Sequence, residues 1–168
     1  INRAMELFIA FLASLISVVN PFGAVPVFLA LTPDHTPAER NSTSFFTSLY
    51  FVLILLAFFF AGTYILSFFG LSVDALRIAG GVVIVSSGFA LLNGKFAESR
   101  AINKKVREEA VKKEDISFAP LAMPLLSGPG SISLLISAYA DYSSWPDKSI
   151  IALVIVTTGI IVYFVLRI

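Results

Sequence analysis

Four stretches without a single charge dominate the chain: residues 7–33, 41–73, 116–140 and 149–166. Each approaches or exceeds the roughly 18 apolar residues that suggest a transmembrane helix. Several such runs in succession describe a bilayer protein rather than one soluble core. The pattern predicts five spans, over residues 4–31, 44–69, 71–92, 116–142 and 148–167. The predicted fold class is therefore all-α, a polytopic transmembrane helical bundle.

Punctuation refines these boundaries. Thr36-Pro37-Ala38-Glu39 combines a Thr cap, a first-turn proline and a glutamate at the third helical position, so the second helix should begin there. Gly70 should end it. Ala57 and Ala61, one turn apart, favour close helix contact. Tyr142 and Trp145 read as interfacial anchors.

Two spans contradict themselves. The first carries Asn20-Pro21 with Gly23 and Pro26, and the fourth carries Pro120, Pro124 and the run SGPG at 127–130. PFGAVP at 21–26 and PLLSGP at 124–129 share the spacing P-x4-P and lie 103 residues apart. An odd number of spans between the two copies would insert the second upside down. That is the inverted-repeat plan of secondary transporters, with broken helices in corresponding positions of the two halves. The organisation expected is a first three-span repeat over 1–92, a charged cytoplasmic loop over 93–115, and a second, incomplete repeat over 116–168. The plan places a sixth span from about position 175 onward.

Irregular backbone at membrane depth is tolerated only where it faces protein or a water-filled cavity. There the starting half-helix offers free N–H groups and the ending one free carbonyls. A zwitterion needs both. The expected substrate-binding residues are Asn20, Pro21, Phe22 and Gly23 with Ser127, Gly128, Pro129 and Gly130. Asp74 and Arg77, three residues apart in the third span, read either as a carboxylate contact or gate, or as a pair reaching for the interface. Ser14, Ser17 and Asn20 share one helical face, as do Ser133, Ser137 and Asp141. With Ser131 they either line a polar path or bond to helix carbonyls.

Composition removes whole classes. The 168 residues are 57% hydrophobic and 14% charged, with 12 basic and 11 acidic residues, so there is no nucleic-acid footprint. No cysteine is present, which excludes disulfide and thiol chemistry. One histidine, His35, lies in a polar loop where it reads as solvated. Gly128-Pro129-Gly130-Ser131 lacks the lysine of a phosphate loop. No catalytic constellation, metal site or cofactor site is apparent, and the expectation is a protein that is not an enzyme. The segment 93–115 holds seven Lys/Arg and five Asp/Glu, and reads as a solvated connector or a partner-docking helix.

NPFGAVPVFLALT from Asn20, the Glu39-Arg40 pair, LRIAGG at 76–81 and PLAMPLLSGPGSI from Pro120 together resemble the MarC family of membrane proteins. The resemblance implies a six-spanning protein and a transporter of small neutral amino acids. Its matched positions are Asn20, Pro21, Phe22, Gly23 and Pro26; Leu76, Arg77, Gly80 and Gly81; and Pro124, Ser127, Gly128, Pro129 and Gly130. The function expected is secondary transport in the cell inner membrane, among membrane lipids, with proton or sodium coupling and homo-oligomer formation both open. The alternatives are a channel or exporter for another small solute, or a non-transporting scaffold that docks a partner through 93–115.

Basic residues set orientation: Arg3 and Lys148 lie on one side, while Arg40, Arg167 and the basic loop lie on the other. The N-terminus should face outward and the loop the cytoplasm. In intact cells, a cysteine introduced at Asn2 should react with a membrane-impermeant thiol reagent, and one at Lys112 only after the membrane is opened. The reverse pattern would overturn the assignment.

Overall fold

The computed structural model describes residues 2–93 and 116–167, so the charged loop and its docking reading lie outside the described residues. Seven helical elements follow in order. They are α1 (Arg3–Val19), α2 (Pro21–Leu31), α3 (Pro37–Phe68), α4 (Val73–Leu92), the kinked α5 (Ser117–Leu126), α6 (Pro129–Asp141) and α7 (Trp145–Leu166). Four spans are long and apolar enough to cross a membrane, with α1 and α2 together forming one; the α5–α6 pair, bent by 67°, makes a fifth.

The local causes are those expected of a chain that must satisfy its own backbone. Thr36 and Glu39 form a reciprocal cap at the start of α3, with Glu39 Oε2 accepting from Thr36 N at 2.7 Å and Thr36 Oγ1 accepting from Glu39 N at 3.3 Å. At the other end Gly70 takes the left-handed conformation at φ 67°, and Leu71 N returns to the Leu66 carbonyl at 2.9 Å. Ser72 and Ser144 cap α4 and α7. The last helix begins at Trp145, three residues before the position expected from Lys148, because Ser144 supplies the cap and Pro146 fits the first turn. Trp145 is exposed at that end, where an interfacial ring belongs.

Water drives little helix association inside lipid, so van der Waals contact between small residues must do more. The centre of the bundle is the antiparallel crossing of α3 and α7. Phe51, Leu55 and Phe59 recur every fourth residue on α3 and are fully buried, opposite Ile151, Val154, Ile155 and Val162. A Cβ built on Gly159 would lie 2.2 Å from Val52 Cγ2, so glycine sets how closely the two helices approach.

The other elements arrange themselves around this pair in exchange: α1 and α2 pack on α7, while α5 and α6 pack on α3. The spacing of helix starts matches. Asn20 and Gly128, the caps of α2 and α6, are 108 residues apart, as are Thr36 and Ser144, the caps of α3 and α7. This replaces the 103-residue register of the two P-x4-P runs. Pro129, not Pro124, is the structural counterpart of Pro21, because both occupy the first turn after a break, whereas Pro124 lies inside α5.

Contacts at the helix ends define two faces. Arg3 pairs with Asp147 at 3.0 Å, and Arg77 pairs with Asp141, on one face. On the other, Tyr163 donates to Asn41 at 2.8 Å, and Arg40 donates twice to the Thr32 carbonyl, at 2.8 and 3.1 Å. The two ends of the bundle are thus an Arg3 face and an Arg40 face.

Helix α4 stands apart. Its extensive packing is with α6, and Gly80 is its one buried residue. Ser133 on α6 donates to the Leu76 carbonyl at 3.0 Å, and a Cβ on Gly80 would come within 2.2 Å of that hydroxyl. Gly80→Val should therefore cost about 1–3 kcal/mol by overpacking. Gly81→Val, where nothing lies within 4 Å, should be silent. Thermal unfolding of the two variants in detergent measures the difference.

Candidate functional site

The first break is a joint of one residue. Asn20 closes α1 and opens α2 in the left-handed conformation, at φ 47° and ψ 67°. Asparagine tolerates that region better than most side chains. Its N–H donates to the Ile16 carbonyl at 2.8 Å, and its Oδ1 accepts from Gly23 N at 3.1 Å. The amide end of α2 is thus capped by its own asparagine. This corrects the expectation that both breaks present free N–H groups. The carbonyl side is different. Pro21 has no N–H for the Ser17 carbonyl, and Pro26 has none for that of Phe22. Both carbonyls lose the partner that a continuous helix would give them.

The second break is built the other way. Pro120 and Pro124 interrupt α5, where Ala119 and Met123 are extended and the Ala119–Pro120 and Met123–Pro124 peptides are cis. Gly128 then caps α6 without any side-chain hydrogen bond. Pro129 lacks an N–H, and Ile132 N is the first to return to the Gly128 carbonyl, at 3.1 Å. The amides of Gly130 and Ser131 precede the helical ladder and have no place in it. Beside them Ser127 is 1% exposed, and its hydroxyl has no hydrogen-bond partner. Thr47, Ser48 and Ser137 share that unpartnered state, but Ser127 is the one at a helix break.

The two breaks meet. A Cβ on Gly130 would lie 3.3 Å from Val18 Cγ1 on the last turn of α1, and 2.9 Å from Ile84 Cγ1 on α4. The carbonyl end of α1 therefore abuts the amide end of α6. The macrodipoles place partial negative charge on the first and partial positive charge on the second. At about 1.5 Å per residue, Asn20 lies roughly 25 Å from Arg3 and 16 Å from Leu31 along the broken helix, well inside the span.

The remaining sequence-predicted residues divide. Pro21 and Gly130 are buried at the junction, whereas the Phe22 side chain is 66% exposed and Pro129 is exposed. Ser14 and Ser17 donate to the carbonyls of Ala10 and Ala13, and Ser131 donates to that of Gly128. Ser133 bonds across to α4, as already described. Asp74 and Arg77 pair at 3.0 Å, and Arg77 also reaches Asp141 on α6, a partner that spacing within one helix could not reveal.

His35, expected to be a loop residue, lies in the segment between α2 and α3. It is half-buried, with Nδ1 unpartnered, in a cavity of about 380 Å³ at the Arg40 face that Glu39, Thr43, Phe46, Tyr50 and Ser117 also line. The signal available was the i, i+4, i+7, i+11 recurrence of Glu39, Thr43, Phe46 and Tyr50 on one helical face. Among the described residues there is no group of three or more acidic or histidine side chains that could hold a metal ion.

A family profile described as MarC family integral membrane protein matches residues 5–168. The chain belongs to the MarC family. Among MarC relatives, it is 40% identical to a UPF0056 membrane protein of Methanocaldococcus jannaschii, over 96% of this chain and 78% of that protein. It is 39% identical to one of Buchnera aphidicola, over 90% and 70%. It is 40% identical to the Escherichia coli UPF0056 membrane protein YhcE, over 80% and 62%. No solved structure matches the chain.

The Asn20 joint gives a direct test. Asn20→Ala loses a cap worth about 1 kcal/mol and puts a side chain with a left-handed penalty of about 1–2 kcal/mol at the bend. Asn20→Gly keeps the backbone conformation and should lose only a few tenths. The melting temperature in detergent should fall clearly for alanine and little for glycine.

Proposed function

We propose that this MarC protein is a secondary transporter of small neutral amino acids, operating in the cytoplasmic membrane with its N-terminus outside. The observation that carries this reading is the junction at Val18 and Gly130, where the carbonyl end of α1 faces the amide end of α6 at membrane depth. A zwitterion matches that polarity. Its carboxylate would take the Gly130 and Ser131 amides and the Ser127 hydroxyl, and its ammonium would take the Ser17 carbonyl at the end of α1.

Several features support the reading. Opposite helix ends bind a dipolar solute without a fixed side-chain charge in lipid. The close approach of Val18 and Ile84 to Gly130 disfavours a solute with a long side chain. The antiparallel α3 and α7, the exchanged packing partners and the constant 108-residue spacing fit an inverted repeat, the architecture that lets one site open alternately to either face. Among the described residues no acidic side chain lies at the depth of the breaks, which favours a sodium ion on carbonyls, or facilitation, over a carboxylate proton relay.

The test is uptake of labelled glycine and alanine into proteoliposomes containing the full chain, under imposed proton and sodium gradients. Uptake should saturate. Gly130→Leu should abolish it, and Ser127→Ala should raise KM about tenfold, the value of a hydrogen bond to a charged group. Flux that does not saturate identifies a channel. Absence of flux, with loss of a partner on deleting 93–115, identifies a docking scaffold.

A further inference from the structure

Arg77 is shared by two carboxylates on different helices. Asp74 lies one turn earlier on its own helix, and Asp141 is the last residue of α6. Of the other acids near this end, Asp147 is held by Arg3 of α1 and Glu6 lies in the first turn of α1. Lys148 sits over the Tyr139 ring, 3.6 Å from its centre. Beyond Asp141 the ring of Tyr142 packs edge-on against Phe11 of α1, at 5.5 Å. The end of α6 therefore touches two bodies: α4 through the ion pair, and α1 through the aromatic pair.

The bridge is poorly placed to be a staple. Arg77 and Asp141 are 40% and 58% exposed, and accessible ion pairs contribute little to stability. An acid at a helix C-terminus opposes the macrodipole, so Asp141 does not serve α6 itself. Packing of α4 on α6 is already secured deeper, at Gly80–Ser133 and Ile84–Gly130. What the arrangement does supply is a cation that can let go of one partner and keep the other. Releasing Asp141 leaves Arg77 paired with Asp74 and gives an exposed carboxylate to water, so the open and closed states differ by one accessible ion pair. A small difference between two states is the property of a switch.

We propose that Arg77 is a two-position latch. Bound to Asp141, it closes the Arg3-face ends of α4 and α6 together over the break. Parked on Asp74, it lets them part, with α6 retained by α1. Asp141 lies eleven residues beyond Gly130, about 16 Å along α6, so the latch acts on the end of the helix whose start forms the junction. Its use as a gate rests on the transport reading; the dependence of helix spacing on the bridge does not.

The native chain has no cysteine, so spin labels at Leu71→Cys and Ser143→Cys report the separation of the two helix ends without background. The full chain in lipid should give a dominant short distance. Asp141→Asn should move the population outward by about 5 Å, the scale of one helical turn. Asp74→Asn, which removes the parking position, should sharpen the short population. Opposite effects of two neutralised acids are the signature, since a purely structural role would loosen the contact in both. An unchanged distribution in Asp141→Asn, or a shift in the same direction in both variants, overturns the latch. Uptake of labelled alanine is measured on the same samples. If uptake is absent throughout while the distances shift as expected, the transport reading fails and the latch stands.

Discussion

A backbone amide or carbonyl in hydrocarbon must find a partner, and nearly everything in this protein follows from how two helices decline to provide one. Pro21 and Pro26 leave acceptors behind at the end of α1 and the start of α2, and Gly128-Pro129 leaves donors at the start of α6. Acceptors alone or donors alone would be a cost with no return. Here the acceptor end and the donor end are brought close to each other through Val18 and Gly130. The α3–α7 crossing makes that meeting possible by holding α1 on one side and α6 on the other.

This division of labour is asymmetric although the spacing of the helix starts is not. Helix starts recur at the same spacing in both halves, yet Asn20 closes the amide end of α2 with its own side chain while Gly128 leaves that of α6 open. A residue with a hydrogen-bonding side chain and one without occupy equivalent places. Two pairs of helix caps share one spacing, and the chemistry differs with what stands at Asn20 and Gly128.

Much of this was legible in the order of residues. Charge-free runs gave the spans, and Thr36-Pro37 with Glu39, Gly70, and the Asn20-Pro21 pair marked the helix limits through local rules that need no tertiary information. The register of the matching helix starts was less legible. Pro124 imitates Pro21 in spacing, and only the course of α5 reveals that Pro129 is the equivalent residue. What the sequence hid was contact between distant segments. Nothing local joins Arg77 to Asp141, sixty-four positions away, or turns His35 toward the cavity beside Ser117. The Asn20 cap was hidden for a different reason. Asparagine before proline signals a break, but whether its side chain points back onto Gly23 depends on dihedrals that residue type alone leaves open.

A hinge made of one residue permits rotation and almost no sliding. With Asn20 as the pivot, α2 becomes a lever roughly 16 Å long, and a turn of roughly 10° at the pivot sweeps its far end by about 3 Å. That far end is not loose: Arg40 grips the Thr32 carbonyl just past Leu31 with two hydrogen bonds. Any swing of the lever is handed directly to the first turn of α3, so a disturbance deep in the bilayer arrives at the Arg40 face as a pull on the central helix.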